Sequence, residues 1–279
     1  MRIVVCVKHV PDLQADRSFT ADGRVDRSQG DGTLSELDEH AVEAALVLTE
    51  TLGGEVTVVT VGPADAEDAV RRGLQMGAQH AVHVIDDAIA GSDVFGTALV
   101  LAAAIRRLDA EGGAEGGAEG GVEGGAEGGV DLVITGMAAL DGLMSVLPSL
   151  LAAHLDLPQA TLAAELTVAD GVVRVRRDLD HVTEVLEAPL PAVVSVTDQA
   201  NEPRYPNFKG IMAARKTPVT AWSLADLGID PATVGDAGAR TRVLEATPRP
   251  VRENRVLITD DGEAGLRLAA YLAENGLLG

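Results

Sequence analysis

The sequence predicts an α/β protein built on a doubly wound, mostly parallel sheet. Short continuous apolar runs recur along the chain, and amphipathic stretches with helix-end signals lie between them. A strand buried on both faces of a parallel sheet has no polar face, so it reads as an unbroken apolar run. Strands and helices that alternate in this order pack as a sheet covered by helices on both sides.

Five apolar runs are predicted as strands of this sheet. The first, residues 3–8, reads Ile-Val-Val-Cys-Val-Lys. Aromatic residues make up only 2% of the chain, so Val, Leu, Ile and Ala must build the core. The other predicted strands are residues 56–61, 81–85, 131–135 and 192–196.

Helices are predicted between these strands from apolar periodicity and end signals. Residues 35–52 carry carboxylates in their first turns, residues 64–76 end at Gly77, and Ser92 is the expected N-cap of residues 92–108. A last helix is predicted at residues 262–275.

An antiparallel hairpin is predicted within residues 166–186. Asp170-Gly171 stands there between alternating residues, and this dipeptide favours a two-residue hairpin turn. We expect the hairpin at one edge of the sheet.

The chain repeats Ala/Val-Glu-Gly-Gly five times across residues 110–130. Glycine this frequent disfavours a helix, and little apolar surface is present to offset the entropy of ordering. We predict a flexible acidic loop, since a glutamate at every fourth position would repel the phosphate of a glycine-loop ligand.

Three regions follow from these patterns. Residues 1–197 form the α/β domain, residues 198–240 a loop and connecting arm, and residues 241–279 an extended C-terminal arm ending in a helix. Prolines punctuate the chain after Val196, and a tail of this kind is expected to pack on a partner.

Composition excludes several classes of function. The formal net charge of −21 disfavours nucleic-acid binding. The single cysteine, Cys6, excludes a disulfide framework, and the six histidines show no HxH or HExxH spacing, so no metal site is expected. The apolar stretches are too short for a membrane span, and Met1 begins directly on a strand-like run, so we expect a cytoplasmic protein without membrane insertion.

Three segments lie where an open α/β sheet binds ligands, at carboxyl ends of strands and starts of helices. They are the strand end at Cys6, the helix start at residues 35–38 and the turn from strand to helix at residues 136–145. Each has a structural alternative: Cys6 is read first as a small buried core residue, and Asp141-Gly142 can be a simple turn. No GxGxxG follows the first strand, and neither GxxxxGK[ST] nor GxSxG is present.

Residues 201–216 concentrate two of the six aromatic residues and four cations in an acidic, aromatic-poor chain. Arg, Tyr and Met are enriched at protein interfaces, which favours a docking surface. The alternative is a loop followed by one basic helical turn.

Asn-Glu-Pro-Arg-Tyr at residues 201–205, followed by Ile-Met-Ala-Ala-Arg-Lys at residues 211–216, resembles the signature region of the electron transfer flavoprotein beta-subunit family. The resemblance extends over nearly the whole chain. Its further motifs are residues 7–12, 38–45, 62–63, 74–78, 141–142, 157–159 and 190–193.

The resemblance implies a Rossmann-like sheet of the adenine-nucleotide-binding type in one half of a heterodimer. The alpha subunit would hold the redox FAD, and this subunit a structural AMP or, in the electron-bifurcating branch, a second FAD. The pair would accept electrons from flavoprotein dehydrogenases, such as the acyl-CoA dehydrogenases of fatty acid oxidation, and pass them toward a membrane quinone reductase. This subunit would be an electron carrier without bond chemistry of its own, and hence not an enzyme.

Carried over by position, the family's nucleotide contacts fall on three segments and one strand end. They are Cys6, Ser35, Glu36, Leu37, Asp38, Val61, Asp141, Gly142, Leu143, Met144, Ser145, Val146, Leu147 and Pro148. Leu143 and Met144 are bulky where many relatives carry small or polar residues.

The family's partner-binding positions fall mainly on its recognition loop, which corresponds here to residues 198–216. They are Glu184, Ala200, Asn201, Glu202, Pro203, Arg204, Tyr205, Phe208, Lys209, Ile211 and Met212.

Two other classes of function were weighed. An ATP-binding regulator similar to the stress proteins would carry a Gly-x-x-Gly with a later Gly-Ser/Thr, and none follows Gly136. A redox enzyme active alone would need an acid/base pair or a flavin-stacking cluster, and neither can be named.

Overall fold

A computed structural model describes residues 1–12, 18–28, 32–115, 128–247, 249–251, 253 and 256–278. Its central sheet has seven strands in the order β12-β5-β4-β1-β6-β11-β7, and every neighbouring pair is parallel. Helices cover both faces, so the predicted doubly wound α/β fold is confirmed. The strands are β1 (Arg2–Cys6), β2 (His9–Pro11), β3 (Gly32–Leu34), β4 (Glu55–Val61), β5 (His80–Val84), β6 (Leu132–Gly136), β7 (Gln159–Ala163), β8 (Glu165–Ala169), β9 (Val172–Asp178), β10 (Thr183–Pro189), β11 (Ala192–Val196) and β12 (Thr220–Trp222).

The five predicted strands correspond to β1, β4, β5, β6 and β11, and the predicted helices to α1, α2, α3 and α7. Short 3₁₀ turns at Ala64–Ala66, Asp87–Ile89 and Pro231–Thr233 complete the secondary structure of the described residues. The α-helices are α1 (Glu36–Leu52), α2 (Glu67–Met76), α3 (Val94–Glu115), α4 (Leu147–Leu155), α5 (Phe208–Ala214), α6 (Gly235–Gly238) and α7 (Ala264–Glu274).

The order of the strands creates a switch point between β1 and β6. The chain winds outward from β1 through β4 to β5 and then returns to β6 on the other side of β1. The loops after β1 and β6 diverge at this point, and a topology of this kind places a ligand crevice at the carboxyl ends of the strands.

The predicted hairpin is part of a separate three-stranded antiparallel sheet in the order β10-β9-β8. Asp170 and Gly171 join β8 to β9 with φ of 51° and 74°, the left-handed conformation that a type I′ turn requires. The Asp170-Gly171 signal predicted the turn between β8 and β9, and β10 is the third strand of this sheet.

The core lies on both faces of the central sheet and is aliphatic, as the composition predicts. Strand residues such as Val5 and Ile134 face one layer, while Val4 and Val133 face the other. Trp222 on β12 is the buried aromatic side chain of the described core, and Arg107 lies 4.5 Å from its ring centroid.

Helix α3 differs from the prediction at both ends. Asp93, not Ser92, caps it, because the Asp93 carboxylate accepts the N–H groups of Phe95 and Gly96 at 3.0 and 3.1 Å. At its other end α3 continues through the first repeat and into the second, as far as Glu115. Most of the predicted flexible loop, residues 116–127, lies outside the described residues.

The chain separates into two compact units, Met1–Val243 and Leu244–Gly279. The first unit includes α5 and β12, so the arm expected at residues 198–240 packs on its own chain. No helix in the described ranges has both the length and the apolarity to cross a membrane. Nor does this part of the chain bring together three or more side chains suited to hold a metal ion.

Candidate functional site

The switch-point crevice brings together the three segments that the sequence singled out. The carboxylate of Asp38, in the first turn of α1, accepts the backbone N–H of Lys8 at 2.9 Å and that of Gly136 at 3.3 Å. Lys8 follows β1 directly, and Gly136 ends β6. One side chain of α1 therefore ties the two strand ends across the crevice.

The carboxyl group of Asp38 is buried. Burial raises the pKa of Asp38 to about 7, although the two N–H donors and the Lys8 cation oppose this shift. The Asp38 carboxyl group therefore titrates well above the range of an ordinary aspartate.

Ser35 and Cys6 complete the buried floor of the crevice. Ser35 is fully buried, and its hydroxyl has no hydrogen-bond partner within the described protein. Burial raises the pKa of the Cys6 thiol to about 12, and the nearby Asp38 carboxyl adds to this shift, so the thiol stays neutral. Ser35 thus places a polar group without a described partner at the start of α1, whereas Cys6 packs in the hydrophobic core.

Asp141 lies at the rim of the crevice between two cations. Its carboxylate, whose side chain is closed to solvent, accepts from Lys8 Nζ at 2.8 Å and from Arg27 Nε at 2.7 Å. Burial alone would raise the pKa of Asp141, but Lys8 and Arg27 together hold it below its usual value. Lys8 and Arg27 share this one carboxylate, and both cations remain nearly half exposed to solvent.

The loop from Asp141 into α4 differs in detail from the anion site that was expected. Helix α4 begins at Leu147 with Val146 as N-cap, and Pro148 in its first turn has no N–H to donate. The exposed side chains at this rim are mainly apolar, with Ser145 as the polar exception. Leu143 adopts a φ of +50°, which turns its side chain outward.

The other predicted nucleotide contacts lie close to this crevice but are less enclosed. Val61 is half-buried at the end of β4, Leu37 is half-buried and Glu36 is exposed. Gly142 is exposed, and a Cβ built there would meet nothing within 4 Å.

Two residues of the crevice were missed by the sequence reasoning. Lys8 appeared only as the charged end of an apolar run, and Arg27 lies in a segment without periodicity. No pattern relates Arg27 to Asp141, since 114 positions separate them in the chain. Only the fold brings these charges together.

The segment of residues 198–216 presents an exposed aromatic and cationic surface. The side chains of Tyr205 and Phe208 are 88% and 80% exposed, and Met212 and Lys209 are exposed beside them. Asn207 caps α5 by accepting the N–H of Gly210 at 2.9 Å. The alternative interpretation, a loop followed by a short basic helix, describes the local structure correctly.

Other predicted partner contacts of the segment face their own chain. The guanidinium of Arg204 donates to Glu43 and Glu50 of α1, and Asn201 is hydrogen-bonded to His40. Ala200 packs against the core, Pro203 and Ile211 are half-buried, and Glu202 is exposed. Arg204 is therefore paired with carboxylates of its own chain, and its contact with a partner stays a prediction.

Glu184 is not joined to the segment. It lies on β10, and its carboxylate accepts from Arg177 Nε of β9 at 2.9 Å. Among the described residues, no hydrogen bond or ion pair connects Glu184 to residues 198–216.

Comparisons with known proteins agree with this architecture. The family model described as electron transfer flavoprotein domain matches residues 22–227. The chain is 40% identical to the electron transfer flavoprotein subunit beta of Mycobacterium leprae, and the match covers 99% of each chain. It is 34% identical to the protein FixA of Rhizobium meliloti, over 96% of this chain and 88% of that one. It is also 32% identical to the caffeyl-CoA reductase-Etf complex subunit CarD of Acetobacterium woodii, over 93% and 92%.

Proposed function

Because this chain belongs to the electron transfer flavoprotein beta-subunit family, we propose that it works as one half of a heterodimeric electron carrier. An alpha subunit holds the redox-active FAD, and flavoprotein dehydrogenases, including acyl-CoA dehydrogenases, deliver electrons that pass on to a membrane quinone reductase. This chain supplies a nucleotide site and a docking surface and carries out no bond chemistry.

The nucleotide site is the switch-point crevice, and AMP is its proposed occupant. The observation that supports this most is the buried Ser35 hydroxyl at the start of α1, which has no hydrogen-bond partner among the described residues. A buried hydroxyl without a partner is costly, so a ligand that bonds to it would stabilise the protein. The excess positive charge of Lys8 and Arg27 over Asp141 suits a phosphate group at the rim.

The bound nucleotide can be identified directly. The chain is purified with its alpha subunit, the complex is denatured with acid, and the released nucleotides are separated by chromatography. One FAD and one AMP per heterodimer support the proposal. Two FAD and no AMP indicate that this subunit holds a second flavin, as in the electron-bifurcating branch, and no AMP with one FAD refutes the site.

The variant Ser145→Glu tests where the phosphate lies. Ser145 is exposed two residues before α4, and a carboxylate there would repel a phosphate at the helix start. We expect AMP to be lost from the Ser145→Glu complex. Ser145→Gln, which has the shape of the glutamate variant without its charge, should retain AMP. Equal AMP content in both variants would place the phosphate elsewhere.

The docking surface is proposed to be the exposed part of residues 198–216. Replacing Tyr205 or Phe208 with Ala removes a rigid anchor of the type that dominates interface energies, worth about 2 kcal/mol when central. The apparent KM of a dehydrogenase for the carrier should rise with flavin content unchanged. Phe19→Ala, at an exposed aromatic residue outside the segment, serves as the control, and an unchanged KM in both docking variants refutes this surface.

The unit Leu244–Gly279 is proposed to bind the alpha subunit. Leu244, Val251, Leu257 and Leu266 are 73% to 90% exposed. Apolar side chains this exposed are typical of a segment that buries them against another chain.

A further inference from the structure

We propose that Arg204 and Asn201 are positioning residues, which fix the 198–216 segment to helix α1 so that Tyr205, Phe208 and Met212 face a partner in one arrangement. The inference rests on the proposed docking function of this segment. It gives these two residues a role distinct from that of the exposed side chains beside them.

Arg204 is held by two carboxylates of α1. Its Nε and Nη2 donate to the two oxygens of Glu43 at 2.8 and 2.9 Å, and its Nη1 and Nη2 donate to Glu50 at 2.5 and 3.1 Å. The backbone N–H of Arg204 also donates to Glu43 at 3.1 Å. Bidentate pairing of this kind fixes the guanidinium in position and direction.

The burial of Glu43 distinguishes a positioning role of Arg204 from direct contact between this ion pair and a partner. Its side chain is only 8% exposed and lies beneath the segment, so it cannot touch a docked protein. A buried carboxylate needs its cation, and breaking such a pair is strongly unfavourable. The Arg204–Glu43 pair therefore restrains the backbone at the point where the exposed residues begin.

Asn201 forms a second attachment, three residues earlier. Its side-chain Nδ2 donates to the carbonyl of His40 at 2.9 Å, and its own carbonyl lies 3.0 Å from His40 Nδ1. Because that carbonyl can only accept, His40 Nδ1 carries the proton and donates. The two bonds join the segment and α1 reciprocally.

Helix α2 holds the other end of the segment. Arg71 donates to the carbonyls of Ala214 and Thr217 at 3.0 and 2.7 Å. Gly210 lies so close to α2 that an added Cβ would be 2.5 Å from the carbonyl oxygen of Gln75. The segment is thus fixed at both ends, and its exposed side chains lie between the attachments.

Glu43→Gln in the purified heterodimer is the principal test. The amide keeps the shape of Glu43 but loses the charge that holds Arg204. We expect the apparent KM of an acyl-CoA dehydrogenase for the carrier to rise by about fivefold or more, with kcat and flavin content unchanged. Chymotrypsin should cleave after Phe208 faster than in the wild type; the bond after Tyr205 is not a site, because Pro206 follows it.

Glu39→Gln is the matched control, because it makes the same change on the same helix. Glu39 pairs with Arg72 of α2 at 2.9 Å and does not bind Arg204. We expect unchanged KM and cleavage rates. Arg204→Lys keeps the charge but loses the two-pronged guanidinium, so its KM and cleavage rate should resemble those of Glu43→Gln. The double variant Glu43→Gln/Arg204→Lys should show no larger change in either quantity than each single variant.

Distinct results separate this inference from the docking function. If Tyr205→Ala raises KM while Glu43→Gln changes neither KM nor cleavage, or if the Glu43 and Arg204 effects are additive, the positioning role is wrong and docking stands. If Tyr205→Ala and Phe208→Ala leave KM unchanged, the docking function itself fails.

If Glu43→Gln does not fold, Glu50→Gln at the exposed carboxylate replaces it. This variant must give faster cleavage and about a twofold rise in KM. No change in either quantity overturns the inference.

Discussion

At the scale of single residues, the stability of the protein depends on the protonation of Asp38 in the crevice. Asp38 is buried between two strand ends, and burial raises the pKa of its carboxyl to about 7. In the unfolded chain the pKa of the same carboxyl is ~3.9. Between these values the folded protein holds a proton that the unfolded chain releases, so the free energy of unfolding falls as the pH rises.

Asp38→Asn is expected to remove this dependence. The difference in unfolding free energy between wild type and variant should change by on the order of 2–3 kcal/mol between pH 5 and pH 8, in favour of the variant at the higher pH. Urea denaturation at the two pH values measures it. A difference that is independent of pH would mean that Asp38 is ionised throughout this range.

Gly136 is a second residue whose identity the crevice requires. A Cβ there would lie 2.6 Å from Asp38 Oδ1 and 2.7 Å from the carbonyl oxygen of Leu37. Gly136→Ala should therefore destabilise the protein by roughly 2 kcal/mol or more, because backbone must move. Gly142→Ala, where a Cβ meets nothing within 4 Å, should change stability by less than about 0.5 kcal/mol, and equal losses in denaturant unfolding would contradict this reasoning.

At the scale of elements, the repeat is joined to the fold at its two ends. Arg2 Nη1 donates to the carbonyls of Leu108 and Gly128 at 3.4 and 2.5 Å, and Asp109 accepts the N–H of Val130 at 2.8 Å. These contacts lie at the amino ends of the strands, since Arg2 begins β1 and Val130 precedes β6. The crevice lies at the opposite ends of the strands, so these two attachments are remote from it.

Replacing residues 116–127 with a four-residue Gly/Ser linker should leave folding and assembly intact. The cost of closing a loop depends weakly on its length, so we expect a change in unfolding free energy below about 1 kcal/mol. Arg2→Ala, which removes the attachment but keeps the repeat, should cost more, about 1–3 kcal/mol. A shortened protein that is less stable than Arg2→Ala would show that the repeat packs.

At the scale of the whole molecule, the chain has two units with different environments. The unit Met1–Val243 holds the sheet and the core residues, whereas no residue of α7 is buried. A chain ending at Val243 should therefore keep its thermal midpoint within about 3 °C, which for a protein of this size is roughly 1 kcal/mol. It should no longer co-purify with the alpha subunit. Unchanged co-purification, or aggregation of the shortened chain, would contradict the proposed role of residues 244–279.

The fold class and most elements could be predicted from the amino-acid sequence, because their signals are local. An unbroken apolar run such as Ala192–Val196 predicts a buried parallel strand whatever its neighbours are. Asp170-Gly171 likewise predicts a type I′ turn from its own backbone preferences. Strand β12 was missed because its three residues, Thr220–Trp222, become a strand only through pairing with β5.

The tertiary structure alone decided which residues act together. The sequence pointed to Cys6, residues 35–38 and Asp141, but Arg27 joined them only when the fold placed it 2.7 Å from Asp141. The sequence also predicted Arg204 as an interface residue because of its residue type, whereas in the folded protein Arg204 forms an ion pair with the buried Glu43. Local pattern fixes backbone conformation, but charge pairing depends on distances between segments far apart in the chain, and those distances exist only after folding.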